Sequence, residues 1–224
     1  MLPPILHHDD RLLVVNKPSG VLSVPGIGPE KADCLVARIQ TEYPEARTVH
    51  RLDRDTSGVI IYGLDKDSHR ELSRQFQDRE VEKTYHALVG GHLAEDQGDI
   101  DLPIRKDLED TPRQIVDHEH GRPSQTHWKV TSRGQLGDLD ETLTTGSEDA
   151  SLAITRLELT PRTGRSHQLR LHLKSIGHPI LGDDLYATPQ LVNATRRLCL
   201  HATQLWFVHP ESAAPMKFTC PPPF

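Results

Sequence analysis

The residues richest in reactive side chains lie between His50 and Gly58, directly before the apolar run Val59–Tyr62. From Arg51 to Asp55, five positions hold two carboxylates and two guanidiniums. Charges this dense beside a buried strand are costly unless they pair with one another or carry out chemistry. Two interpretations stay open on these residues alone: a reactive carboxylate held by cations, or a salt-bridged turn in solvent.

A second charged segment runs from Pro161 to Lys174 and predicts a helix with a basic start. The positive end of the helix dipole disfavours arginine there by about 0.3–1 kcal/mol. Arg162 and Arg165 therefore make more sense if an anion meets them, and a carboxylate or a phosphate would each serve. For Arg165 we favour a buried carboxylate partner, with Asp53 as the leading candidate.

Together these segments resemble the signature of the RluA-type RNA pseudouridine synthases, which begins here with His50–Asp53 and Thr56–Gly58. The resemblance runs from about Leu12 to Phe224, and several motifs in the family's order are stronger than any one alone. The further motifs are Lys17-Pro18-Ser19-Gly20, Ser23–Gly26, Arg38–Pro44, Lys83-x-Tyr85, Thr163–Arg170, Gly182-Asp183-x-x-Tyr186 and Leu198–Ala202.

The resemblance implies that the N1–C1′ bond of a uridine in RNA breaks, the base turns, and it rejoins through C5. It assigns the catalytic carboxylate to Asp53 and requires no metal and no other cofactor. Whether this carboxylate adds to the sugar or removes the C2′ proton stays open. Desolvation disfavours the charged carboxylate, and pairing with Arg165 would offset that cost. Tyr85 matches the family's active-site tyrosine, which could stack on the flipped uracil and help remove the C5 proton.

The resemblance also implies RNA as the partner, with large-subunit rRNA and a tRNA anticodon stem-loop as expected substrates. A stem-loop base must first be flipped out, which costs a few kcal/mol. Arg51 is a candidate to occupy the vacated space or to bind the phosphate of the target. The other side chains expected to bind substrate are Lys17, Arg162, His167, Arg170 and Lys174, with a basic loop at Arg105, Lys106 and Arg113. Such binding is salt-sensitive.

Composition sets limits on these expectations. The chain has 224 residues, a net charge of −6 and a pI near 6.1. This balance opposes nucleic-acid binding unless the positive charge is concentrated on one face. Three widely separated cysteines argue against a disulfide framework and favour a reducing, cytoplasmic location. No apolar stretch approaches a membrane span, and the N-terminus does not read as a secretory signal.

The hydrophobic patterns predict an α+β fold, with a mixed and largely antiparallel sheet flanked by helices and loops. We expect one catalytic domain over residues 1–224, acting as a monomer and without an S4-like RNA-binding module. Residues 134–149 are predicted to form an exposed acidic loop, an insertion relative to the resembled family, away from the RNA-binding face. The predicted strands are 12–15, 59–64, 84–89, 125–131 and 152–159; the predicted helices are 31–43, Asp65 or Asp67 to about Arg79, and 166–176.

Three rival interpretations remain. Asp53-x-Asp55-x-Ser57 superficially resembles the motif of aspartyl-nucleophile phosphatases, but that motif follows a buried strand, whereas here the apolar run comes afterwards. A noncatalytic RNA-binding module would explain the arginines but not a buried Asp–Arg pair. His118-x-His120 suggests a metal site, yet no matching ligand pattern accompanies it, so ordinary core or surface histidines are expected.

Overall fold

A computed structural model describes residues 2–146 and 149–224 of the chain. These residues form two compact units: Met1–Lys83 with His201–Pro222, and Thr84–Leu200 with Pro223–Phe224. The helices are α1 (Leu35–Gln40), α2 (Lys66–Gln77), α3 (Gln168–Ser175) and α4 (Pro189–Ala194). The strands are β1 (Ile5–His8), β2 (Leu12–Lys17), β3 (Arg47–Thr48), β4 (Ser57–Gly63), β5 (Glu82–Gly90), β6 (Gln97–Asp101), β7 (Ile104–Lys106), β8 (Gln114–Val116), β9 (Gln125–Gln135), β10 (Ala153–Pro161), β11 (Leu200–Val208) and β12 (Pro215–Thr219).

The first unit is built around β4, in which every residue is buried. β2 pairs with it antiparallel on one side, and β11 pairs with it parallel on the other. An all-apolar run such as Val59–Ile61 is what a strand covered on both faces requires. β4 therefore lies in the core of the first unit, and its first residue ends the loop that carries Asp53.

Helix α2 begins at the predicted cap. The Asp65 carboxylate accepts hydrogen bonds from the backbone N–H groups of Asp67 and Ser68, both at 2.8 Å. The helix ends at Gln77, and Arg79 adopts a positive φ of 63° just beyond it. The predicted span to about Arg79 is therefore confirmed except for its last residues.

Helix α1 is much shorter than the predicted 31–43. A separate 3-10 turn covers Pro29–Lys31, and Cys34 is extended, with φ −151°. The N–H groups of Leu35 and Val36 donate instead to the carbonyl oxygens of Leu22 and Ser23, at 2.7 and 3.3 Å. These tertiary bonds satisfy the first donors of the helix, so it starts where the chain meets the 22–23 segment.

The second unit contains the antiparallel series β5–β10–β9–β6 and a separate β7–β8 hairpin. Among the described residues, every pairing within either unit is antiparallel except that of β4 with β11. The predicted α+β class with a largely antiparallel sheet is confirmed. Within the described ranges, no helix combines the length and the apolar character that crossing a membrane requires.

The segment 134–149 is better anchored than predicted. β9 extends into it, and a 3-10 turn follows at Leu136–Asp138. Leu136 and Leu143 are buried in the core of the second unit, and the N–H of Thr145 donates to the carbonyl of Ala194 at 3.3 Å. The carboxylates of Asp138, Asp140, Glu141 and Asp149 are exposed, while Glu148 lies outside the described residues. The expected exposed acidic loop is thus anchored by two buried leucines.

Candidate active site

Asp53 lies in the loop between β3 and β4 and is half-buried. The residue before it is tied down by Ser23, whose hydroxyl donates to the carbonyl of Leu52 at 2.6 Å. The N–H of Leu52 donates to the same hydroxyl oxygen at 3.1 Å. Both backbone polar groups of Leu52 are thus held by one side chain from the 22–23 segment.

The residues after Asp53 are held by Lys17, at the end of β2. Its ammonium donates to the carbonyl oxygens of Pro18 at 3.0 Å, Arg54 at 2.8 Å and Thr56 at 2.8 Å. Lys17 is 0% exposed, and burying an ammonium is tolerable only with such partners. The predicted contact of Lys17 with substrate does not suit this burial; its geometry is that of a side chain that positions the Asp53 loop.

Two further contacts involve Asp55, the second acid of the loop, and distinguish it from Asp53. The Ser19 hydroxyl donates to the carbonyl of Asp55 at 2.7 Å. The Asp55 carboxylate accepts from Nε and Nη2 of Arg54 at 2.9–3.1 Å. Asp55 is therefore paired with a neighbouring cation. Within the first unit, no described residue donates a hydrogen bond to the carboxylate of Asp53.

The far end of the loop is fixed by a buried pair. The Ser57 hydroxyl lies 2.7 Å from Nδ1 of His201, whose Nε2 lies 3.1 Å from the carbonyl of Cys220. A carbonyl only accepts, so Nε2 carries the proton and Nδ1 accepts from Ser57. The next residue, Gly58, has a φ of +117°, and a Cβ there would lie 2.2 Å from the carbonyl oxygen of Ala202. Only glycine allows this approach.

His50, at the start of the motif, is a structural residue. Its Nε2 accepts a hydrogen bond from the N–H of Ile61 at 3.2 Å, and its ring stacks on Phe76 with centroids 4.4 Å apart. Burial, with a smaller contribution from the nearby Lys83, lowers the pKa of His50 to about 3. The neutral ring joins the loop to β4 and α2.

In the second unit, Tyr85 lies on β5 opposite Leu159 of β10. It is half-buried, and its ring packs against the hydrophobic core of that unit. Core packing on one side orients an aromatic ring. This placement is compatible with the expectation that Tyr85 stacks on a base.

The segment with Arg165 leads into α3, which begins at Gln168 rather than at the predicted Ser166 because His167 is left-handed, with φ 54°. The Gln168 side chain holds the segment: its carbonyl oxygen accepts from the N–H of Arg165 at 3.0 Å and from the Thr163 hydroxyl at 2.8 Å. Arg165 is half-buried, and its Nε donates to the carbonyl of Pro123 at 3.3 Å. The backbone of this segment is therefore held as firmly as that of the Asp53 loop.

Arg170 differs from its prediction. Its guanidinium is 3% exposed and donates to both carboxylate oxygens of Asp183, at 2.8 and 2.5 Å. It also donates to Asp184 at 3.0 Å and lies over the ring of Tyr186. A buried, bidentate guanidinium is not positioned to grip an RNA backbone, so the predicted substrate contact of Arg170 is corrected to an internal ion pair.

The remaining predicted substrate contacts are more accessible. Arg51, Arg162 and Lys174 are exposed, and the guanidinium of Arg162 lies 3.8 Å from the carboxylate of Asp99. His167 is half-buried, and its Nδ1 lies 2.9 Å from the hydroxyl of Tyr186.

In the basic loop, Arg105 is paired with Asp117, and Arg113 is paired with Asp110 at 2.7 Å. Lys106 is exposed. In the described part of the chain, no group of three or more His, Cys, Asp or Glu side chains is arranged to hold a metal ion.

Sequence reasoning missed three side chains that support these segments: Ser23, Gln168 and Tyr186. The Tyr186 hydroxyl accepts from the N–H of Gln114 at 2.7 Å and so joins the β7–β8 hairpin to the start of α3. All three lie inside motifs that the resemblance already quoted. The motifs were informative about which residues matter, but not about which contacts they make.

A family model described as RNA pseudouridylate synthase matches residues 11–175. The chain therefore belongs to the RNA pseudouridylate synthase family. This membership confirms the predicted reaction class, isomerisation of uridine in RNA, over the phosphatase and noncatalytic alternatives.

Individual relatives point in the same direction. The chain is 49% identical over 216 residues to the dual-specificity RNA pseudouridine synthase RluA of Yersinia pestis, covering 96% of this chain and 97% of that one. It is 46% identical over 220 residues to the protein of the same name from Escherichia coli K12, covering 98% and 93%. Among solved structures, human RNA pseudouridylate synthase domain containing 1 matches with a TM-score of 0.79 and 28% identity, covering 99% of this chain and 84% of that one.

Proposed function

We propose that this chain isomerises uridines in two kinds of RNA, a large-subunit rRNA and a tRNA anticodon stem-loop, with Asp53 as the catalytic carboxylate. The relatives described as dual-specificity enzymes, which match nearly the whole chain, support the breadth of substrate. We further infer that the protein works in the cytoplasm as a monomer and needs neither a metal nor another cofactor.

One observation carries the assignment of Asp53. The backbone on both sides of it is held by side chains from residues 17–23, whereas its carboxylate receives no hydrogen bond from a described residue of its unit. Asp55, the alternative acid, is already engaged by Arg54. A rigid backbone that presents one uncommitted carboxylate is the arrangement that nucleophilic or general-base chemistry requires.

The family resemblance supplies two further residues for the proposed chemistry. The guanidinium of Arg165 would stabilise the charge of the Asp53 carboxylate and orient it toward C1′ or the C2′ proton. The Tyr85 ring would stack on the flipped uracil, and its hydroxyl would assist removal of the C5 proton. Arg51, Arg162 and Lys174 are exposed cations suited to RNA phosphates. We propose that Arg51 also fills the space left by the flipped base.

The test uses RNA labelled with tritium at C5 of uridine, because joining C5 to the sugar releases that hydrogen. The wild-type protein, assayed in EDTA, should release tritium from both a large-subunit rRNA fragment and a tRNA anticodon stem-loop. Asp53→Asn should release none from either. Release from one RNA alone would overturn the dual specificity, and full activity of Asp53→Asn would overturn the catalytic assignment.

A further inference from the structure

A cleft of about 300 Å³ opens in the first unit beside the Asp53 loop. It is lined by the turn 20–22 and by the side chains of Lys31, Asp33, Arg38 and Arg54. Three of these four side chains are cations, in a protein whose net charge is −6. Positive charge is therefore concentrated at this cleft, as nucleic-acid binding by an acidic protein requires.

The guanidiniums in the cleft are held in place. Arg38 donates from Nε and Nη2 to Asp33 at 2.7 and 2.6 Å, which leaves its Nη1 without a hydrogen bond to any described residue. Arg54 is oriented in the same way by Asp55. An arginine that is already held by a carboxylate loses little further side-chain entropy when it binds a phosphate, because its guanidinium is already oriented.

A second cleft of similar size provides a contrast. It measures about 330 Å³ and is lined by two cations, Arg11 and Arg70, against three carboxylates, Asp67, Glu71 and Glu211. An RNA backbone would be repelled there. The two clefts thus differ in charge, and the basic cleft borders the Asp53 loop.

The position of the basic cleft relates it to the target nucleotide. Arg54 directly follows Asp53, and its carbonyl is fixed by Lys17 at 2.8 Å. The turn 20–22 continues directly from Ser19, which holds the carbonyl of Asp55 at 2.7 Å. The cleft and Asp53 therefore border the same loop, whose backbone Lys17 and Ser19 hold. Because adjacent Cα atoms are about 3.8 Å apart, the Arg54 side chain is within reach of a nucleotide next to a uridine at Asp53.

We propose that the cleft binds the phosphate and ribose of a nucleotide flanking the target uridine, with Lys31, Arg38 and Arg54 as the phosphate ligands; this rests on the proposed function. A volume of about 300 Å³ lies at the lower end of the range of small-ligand sites and suits one nucleotide rather than a longer segment. Recognition through phosphate and sugar positions the RNA without reading its sequence. One site of this kind can therefore serve two different stem-loops.

The experiment compares Lys31→Gln, Arg54→Gln and the double variant with Arg70→Gln as a matched control. Lys31, Arg54 and Arg70 are all exposed, and Arg70 lies in the second cleft, 79% exposed and paired with Asp67. Kd for the anticodon stem-loop is measured by fluorescence anisotropy over a range of salt concentrations, and kcat by tritium release at saturating RNA. Thermal denaturation of each variant is recorded alongside.

Each cleft variant should raise Kd by roughly 3- to 10-fold, and the double variant should flatten the slope of log K against log salt by about 1.4–1.8. The kcat at saturating RNA should fall by less than about 10-fold even where the Arg54–Asp55 pair is lost, since Asp53 is unchanged and the Arg54 carbonyl is still held. Arg70→Gln should change neither quantity. Wild-type Kd and slope in the double variant would overturn the proposal.

A modified RNA sharpens the assignment. Replacing the charged phosphate next to the target uridine by a neutral methylphosphonate should weaken binding to the wild-type protein but not to the Lys31→Gln/Arg54→Gln variant. An equal loss in both proteins would place that phosphate elsewhere and overturn the assignment. If the wild-type protein releases no tritium, the proposed function fails; if it does and the cleft variants bind normally, the cleft assignment fails by itself.

Discussion

The ammonium of Lys17 and the carbonyl of Arg54, which are 37 residues apart in the chain, are joined by a hydrogen bond of 2.8 Å. A second bond of 2.8 Å joins the same ammonium to the carbonyl of Thr56. Together they fix the backbone immediately after Asp53. We therefore expect Lys17 to affect the reaction through the loop that it holds.

Substituting Lys17 by Met should therefore damage both stability and turnover. Three carbonyls would lose a charged donor in a site with no solvent access, so the free energy of unfolding should fall by about 2–4 kcal/mol. The kcat should fall more than KM rises, because the Asp53 loop loses its fixed geometry. Urea denaturation followed by circular dichroism, together with tritium release, checks both. Wild-type stability in this variant would contradict the conclusion that the Lys17 ammonium holds the Asp53 loop.

The two acids of the loop should respond very differently to neutralisation. Asp53→Asn should lower kcat by about 10³-fold or more, because it removes the charged group proposed to act on the sugar. Asp55→Asn should lower kcat by less than about 10-fold, since it weakens only a partly exposed pair with Arg54. Single-turnover kinetics at saturating RNA separates chemistry from binding. Comparable losses in the two variants would speak against Asp53 as the sole acid.

The buried ion pair between Arg170 and Asp183 should be essential for stability. Arg170→Met should cost about 3–5 kcal/mol of unfolding free energy, because it leaves the Asp183 carboxylate buried without its counter-charge. Asp183→Asn should cost less, because Asp184 still pairs with the guanidinium of Arg170. The double variant should lose less than the sum of the two. Lys174→Gln, an exposed change on the same helix, should stay within about 0.5 kcal/mol. Additive losses in the double-mutant cycle would contradict direct coupling.

His50 should make stability depend on pH. Its pKa of about 3 in the folded state lies below the value near 6.5 of an unfolded histidine. Between these two values the unfolded chain binds a proton that the folded chain does not, so stability is full above about pH 6.5 and falls toward pH 3.

His50→Gln should flatten the dependence in that window, because glutamine can still accept from the N–H of Ile61 but does not titrate. Urea midpoints from pH 4 to pH 8 measure the difference between the two proteins. Parallel curves would contradict a neutral His50 in the folded state.

Local chemistry made parts of the fold predictable. The cap at Asp65 and the apolar run that became β4 depend on neighbouring residues, and both formed where the sequence predicted. Helix α1 was overestimated because its start is set by contacts with Leu22 and Ser23, which no periodicity displays. The start of α3 shifted for a related reason, the left-handed backbone at His167. Helix boundaries that depend on contacts made in the folded chain could not be predicted from the sequence.

The same limit applies to the site. The pairing of Asp55 could be predicted from the sequence, because its partner Arg54 is the neighbouring residue. Sequence reasoning treated Lys17 and Arg170 as substrate contacts, since charge type is visible in a sequence and burial is not. The partners that bury them, backbone carbonyls and Asp183, are known only once the chain is folded. Assignments by charge alone therefore overstate the basic surface.

The backbone around Asp53 is held by side chains from a distant segment of the chain, and this limits how the site can be transferred to another protein. A graft of residues 50–58 alone would carry the carboxylate without Lys17, Ser19 and Ser23, whose side chains hold its backbone. It would also need a neighbouring strand that accepts the close approach of Gly58. The smallest portable unit is therefore the three strands β2, β4 and β11 with the loops that adjoin β2 and β4, and shorter transplants should yield a mobile, inactive peptide.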